Sequence, residues 1–144
     1  MPIKTFRGQL ANGAQDTIVL HTNDGSTGYR VKSLGLFPKN FGTASYETVV
    51  QIFKVKQDAV TNVVDFSDNT LLAAGSYSSH DNAHLYADDE NIIFDNEVFN
   101  QDIYITNSDP QGGSMNYYIE LEQVKLNLDE NTVATLKDIR NITG

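Results

Sequence analysis

The chain has no cysteine, only three prolines, and not one lysine or arginine between Gln57 and Val124. Without cysteine, neither a disulfide framework nor thiolate zinc ligation contributes to stability. No apolar run approaches the ~20 residues that span a bilayer. The opening residues Met1–Lys4 lack the apolar core of a secretory leader, so synthesis in the cytoplasm and no membrane partner are expected. The missing basic residues matter most. Those 68 residues carry thirteen Asp and Glu, whereas the remainder holds all ten Lys and Arg against six acids. The formal charge of -9 is therefore segregated, -13 in the stretch and +4 outside it. Phosphate neutralisation needs clustered bases, so a pI near 4.5 excludes nucleic acid as the main partner. The basic part remains suited to an acidic protein surface.

What is present is turn punctuation. Asn and Asp number 27, clustered at Asn12–Gly13, Asn23–Gly25, Ser67–Asn69, Asp81–Asn82 and Ser108–Gly113. Asx side chains bond their own backbone and tolerate left-handed geometry, so these clusters read as loops. Between them lie short runs rich in Val, Ile, Thr, Tyr and Phe, which predict strands. The expected strands are Ile3–Leu10, Asp16–Thr22, Tyr29–Phe37, Thr48–Lys56, Val63–Phe66, Leu71–Ala73, Asn91–Phe94, Ile103–Thr106 and Met115–Leu126. Many short strands at regular spacing predict an all-β, antiparallel β-sandwich of jelly-roll type. At 144 residues it is one domain, burying about 68% of its unfolded surface.

Two details refine the pattern. Tyr117, Ile119 and Leu121 alternate in one phase and Val124, Leu126 and Leu128 in the other, which predicts a β-bulge or a change of sheet near Gln123. Beyond Leu128 the period becomes helical, with Val133, Leu136 and Ile139 three residues apart. Asp129 or Asn127 caps this short C-terminal helix, and Lys137 and Arg140 suit its end. The sandwich is assigned to residues 1–128 and the helical extension to 129–144, a candidate oligomer contact.

Candidate sites are sparse. His80 and His84 lie four apart with Asp81 nearby, but the surroundings are loop-like and no Glu takes the catalytic place of a His-Glu-x-x-His helix. Calcium suits the acidic stretch better, because hard cations take several oxygens. Asp88, Asp89, Glu90 and Asp95, with Glu97, are the candidate ligands, although no EF-hand spacing is present. His21 sits at a strand end without a nucleophile elbow. Glu120 and Glu122 share a strand face with Tyr118 and read as a wet sheet face rather than a glycosidase pair, whose carboxylates flank a cleft on separate elements. Gly35-x-x-Pro38 and Gly112–Gly113 read as turns. Tyr29, Phe37, Phe41 and Tyr46 interleave with Arg30, Lys32 and Lys39 in the manner of a base-stacking platform, but no wider basic groove accompanies them. No catalytic constellation emerges, so no enzyme and no obligatory cofactor is expected. A calcium-assisted carbohydrate-binding module using Tyr77, Tyr86 and nearby acids is the alternative from a different class.

In order along the chain come Tyr29–Phe37 (YRVKSLGLF), Thr48–Lys54 (TVVQIFK), Leu72–Tyr77 (LAAGSY), Leu85–Ile93 (LYADDENII) and Met115–Glu122 (MNYYIELE). Across residues 29 to 122 this series resembles small β-sandwich virion proteins of tailed phages, particularly marine and cyanobacterial ones. The resemblance implies a non-enzymatic part of the particle. A capsid decoration or cementing subunit bound to the major capsid protein is the leading expectation, with tail, neck or fibre as the alternative. Lys4, Arg7, Arg30, Lys32 and Lys39, with Lys54 and Lys56, are the residues expected to meet an acidic lattice, joined by Lys137 and Arg140 from the helix. Such subunits form symmetric homo-oligomers, with a trimer favoured here, and repeated modest contacts then gain avidity.

Overall fold

The computed structural model of the chain describes residues 2–20, 26–41, 45–79, 88–94 and 96–126. These form eight strands: β1 (Ile3–Leu10), β2 (Gln15–Ile18), β3 (Thr27–Pro38), β4 (Tyr46–Phe53), β5 (Leu71–Ser79), β6 (Asp88–Ile93), β7 (Ile103–Ser108) and β8 (Met115–Lys125). No helix occurs among the described residues, and the expected C-terminal helix lies outside them. The strands make a three-stranded sheet, β1-β8-β3, and a five-stranded sheet, β2-β7-β4-β5-β6. All pairings are antiparallel. The orders 1-8-3 and 2-7-4 run in step, and the links β1 to β2, β3 to β4 and β7 to β8 each pass from one sheet to the other. This is jelly-roll winding of a sandwich. Of strands consecutive in sequence, β4 with β5 and β5 with β6 remain paired neighbours in one sheet.

Alternation explains the core. Val50 and Ile52 from β4, Ile103 and Ile105 from β7 and Ile119 and Leu121 from β8 are almost wholly buried between the sheets. Their partners in sequence point outward, as a two-residue period requires. The expected strand at Val63–Phe66 does not form. These residues belong to the long β4–β5 connection, which crosses the outer side of the five-stranded sheet, held where the Gln51 amide donates to the carbonyls of Thr61 (3.4 Å) and Val63 (3.2 Å). Val63 itself is 71% exposed, and Phe66 packs edge-on against Phe94 with centroids 5.2 Å apart. Beta-branched and aromatic composition was a strand signal there, but no neighbouring strand is available to complete the ladder.

The bulge also lies elsewhere than expected. β8 pairs continuously, and the extra residue is Lys32 in β3: Val31 faces Leu121 while Ser33 faces Glu120. Tyr29 and Val31 therefore point into the core, and after the bulge Leu34 and Leu36 do. A one-residue shift inverts every later side chain. Gly35 and Phe37 are thereby turned to the outer face of the three-stranded sheet.

The β7–β8 loop is built around one carboxylate. Asp109 is 1% exposed and accepts from the Glu47 amide (3.1 Å), the Thr48 hydroxyl (2.9 Å), the Gln111 amide (2.8 Å) and the Gly113 amide (3.1 Å). Gly113 lies so close that a Cβ there would come 2.5 Å from both the Asp109 carboxylate and the Tyr46 ring. Across the sandwich, Tyr117 of β8 donates to Asp16 of β2 at 3.0 Å, tying the two sheets together. Burial first, and then this bond to a carboxylate, pushes the Tyr117 hydroxyl well above the ordinary tyrosine pKa.

Candidate interaction surface

The register of the three-stranded sheet arranges its outer face in rows. Ile3, Glu122 and Arg30 form one row, Thr5, Glu120 and Ser33 the next, then Arg7, Tyr118 and Gly35, and finally Gln9, Asn116 and Phe37. The Glu120, Glu122 and Tyr118 side chains do share this face, and all are at least partly exposed. They are bonded to neighbours along the sheet. Tyr118 donates to Glu120 at 3.1 Å, and desolvation followed by that bond raises its pKa. The Arg30 Nε lies 3.1 Å from Glu122 as an ion pair, although it is not aligned for a hydrogen bond.

Charge is segregated in space as well as in sequence. Lys4 and Arg7 lie on β1, Arg30 and Lys32 on β3, Lys125 on β8, and Lys39 follows β3 directly. Six of the eight described Lys and Arg residues thus belong to the three-stranded layer, against the two carboxylates Glu120 and Glu122. The five-stranded layer and its loops hold the other eleven described carboxylates with only Lys54 and Lys56. Lys4, Arg30, Lys32 and Lys125 gather at the end where β3 begins and β8 finishes. The Lys4 amine stands 5.8 Å from the centre of the Tyr29 ring, a cation-π contact.

Some expected site residues are placed otherwise. Lys54 is not a surface cation: its side chain is 8% exposed and paired with Glu97 at 2.9 Å. Arg7 and Lys39 lie toward the opposite end of the sheet from Lys4 and Arg30. Lys137, Arg140, Asp95, Tyr86 and all three histidines lie outside the described residues. Asp88, Asp89 and Glu90 are consecutive in the edge strand β6, with Asp89 and Glu90 exposed. Among the described residues, no three His, Asp or Glu side chains gather as metal ligands. Tyr77 is buried, edge-on to Tyr46, and so presents no face to a sugar. Tyr29 and Tyr46 are core residues, which dismantles the base-stacking platform.

Gly35 is a correction with more consequence. It is a mid-strand residue, and Pro38 ends the same strand, so no turn separates them. A groove of about 690 Å3 opens here, lined chiefly by Arg7, Gln9, Gly35, Phe37, Asn116 and Tyr118. Phe37 and Tyr118 are 61% and 43% exposed, and Phe37 stacks on Phe41 with centroids 5.4 Å apart. The available sequence signal was the change of hydrophobic phase from Tyr29 and Val31 to Leu34 and Leu36, which leaves Phe37 facing out. No known protein family and no curated protein matches the chain.

Proposed function

We propose that this protein is a non-enzymatic structural subunit of a tailed-phage particle, a capsid decoration or cementing protein that docks on an acidic protein lattice through the basic end of its three-stranded sheet. The observation that carries this reading is the layering of charge: Lys4, Arg30, Lys32 and Lys125 share one end of one sheet, while the opposite layer is strongly acidic. Complementary potentials steer encounter and reject wrongly oriented approach. An outward acidic layer also keeps decorated particles apart. The rigid jelly-roll sandwich suits a part that is repeated by symmetry and has only to hold its shape.

Mass spectrometry of purified particles, with and without the triple substitution Lys4→Glu, Lys32→Glu and Lys125→Glu, tests the reading. The wild-type chain is expected in high copy, and the triple variant is expected to fold and to be lost from the particle. Wild-type occupancy is expected to fall with rising salt. Unchanged occupancy of the triple variant would remove the basic end from the mechanism. A handful of copies per particle would move the protein from shell to tail, and its absence from particles would retire the virion reading.

A further inference from the structure

The groove over Gly35 lies on the outer face of the three-stranded sheet, toward the end away from Lys4 and Arg30. Its nearest row is four residues along β8 from Glu122, about 13 Å at the strand rise of ~3.3 Å per residue.

Among the described residues nothing requires glycine at position 35. Its backbone φ is not in the left-handed region, and a Cβ there would meet only Tyr118 atoms, at 3.8 to 4.0 Å, which is ordinary contact. A mid-strand glycine weakens a strand and marks places where something else approaches closely. Here its missing side chain forms the groove floor. Tyr118 lies across the ladder from Gly35 and Phe37 two residues along the same strand; both are exposed, and one face of Phe37 is stacked on Phe41. The Gln9 amide donates to the Asn116 carbonyl oxygen at 2.9 Å, which leaves the Gln9 carbonyl as an acceptor and the Asn116 NH2 as a donor. Arg7 is the one charged residue of the lining and is in no ion pair among the described residues.

Ring faces, a paired amide donor and acceptor, and one unneutralised guanidinium together describe a ligand. Flat C–H faces suit the rings, hydroxyls suit the amides, and a planar carboxylate suits the guanidinium fork. We propose that the groove binds an acidic saccharide, with a pyranose ring seated on Gly35 between Phe37 and Tyr118 and its carboxylate paired with Arg7. This site is separate from the Tyr77 and acidic-loop arrangement expected from sequence, and it requires no calcium.

The test is titration of the full chain, by calorimetry and by amide chemical shifts, with a panel of uronate- and sialate-containing oligosaccharides and their neutral counterparts. At least one acidic glycan is expected to bind saturably, with shifts centred on Gly35, Asn116 and Tyr118. Arg7→Gln is expected to weaken it by about ten-fold or more, toward the affinity of the neutral counterpart. Gly35→Val, which suits a strand and fills the floor, is expected to retain the thermal midpoint and abolish binding. The proposal is overturned if no acidic glycan binds at millimolar concentration, if Gly35→Val binds undiminished, or if acidic and neutral sugars bind alike. Self-association that Gly35→Val abolishes would likewise overturn it, by assigning the groove to a second copy of the chain. Loss of glycan binding with particle occupancy intact separates this site from the docking end.

Discussion

Replacing Asp109 by Ala removes the acceptor of four hydrogen bonds at once, from Glu47, Thr48, Gln111 and Gly113. Hydrogen bonds to a charged group contribute about 1.5–3 kcal/mol each, but these four are not additive, because donors freed in the loop recover water. The Thr48 hydroxyl, on a residue 1% exposed, recovers least. A loss of about 3–5 kcal/mol follows, a large share of the roughly 5–15 kcal/mol that holds a domain together. For a chain of this size the thermal midpoint should fall by about 10–15 °C, taking roughly 3 °C per kcal/mol. Asp109→Asn keeps an acceptor for two donors but turns an amide toward the rest, so about 1–2 kcal/mol is expected. Urea unfolding followed by circular dichroism measures both. A loss below about 1 kcal/mol for Asp109→Ala would show that the carboxylate is not the organiser of the loop.

Other consequences are equally direct. Tyr117→Phe should cost about 1–2 kcal/mol at neutral pH by leaving Asp16 without its donor. Because the folded Tyr117 pKa is raised, its contribution is full below about pH 10 and is lost as pH rises from there toward the folded value, so the Phe variant should lose less stability on alkalinisation in parallel urea titrations. At Gly8 a Cβ would meet the Tyr117 hydroxyl at 2.6 Å, so Gly8→Ala should displace the ring at a cost of about 1–3 kcal/mol, less than additively with Tyr117→Phe in a double-mutant cycle. Gly35→Ala should instead raise stability by about 0.5–1 kcal/mol in the same urea assay, since among the described residues a Cβ there meets only ordinary contact with Tyr118. The Ser67 hydroxyl and amide bonds hold the Asp65 carboxyl below its ordinary value; their benefit is present above the unfolded pKa and lost as pH falls through the folded one. An NMR titration of Ser67→Ala should show the Asp65 pKa moving back up.

Strands bounded by clear Asx and Gly turn clusters were legible in the sequence. β1 coincides with the expected Ile3–Leu10, and β8 with Met115–Leu126 to within one residue. The errors come from context. Val63–Phe66 has strand composition but no partner to pair with, and a strand without a ladder is a loop. The phase slip at Gln123 predicts a β-bulge or a change of sheet there, whereas β8 pairs continuously and the ladder carries its extra residue in β3, because a register shift belongs to a pair of strands and one strand cannot reveal which side carries it. The same displacement hid the groove: without the bulge, Gly35 and Phe37 would have been assigned to the core face. The charge segregation, by contrast, was fully visible, and its layering followed once β1, β3 and β8 were known to share a sheet. What the sequence withheld was the place of β8 between β1 and β3, where its Lys125 joins the basic end while its acids lie between the bases of the two flanking strands.

The order β1-β8-β3 also governs when the molecule can be made. β1 and β3 have no ladder with each other; each is completed only by the strand synthesised last among the eight. A nascent chain that has already released β1 from the ribosome must therefore hold it without its ladder for more than a hundred residues of translation. The sandwich consequently closes late on the ribosome, with a long loop-closure entropy to overcome, and folding should be slow and largely post-translational. Until then β1 depends on its own sparing use of large apolar side chains, Ile3, Phe6 and Leu10 among polar neighbours, to avoid pairing with another nascent copy.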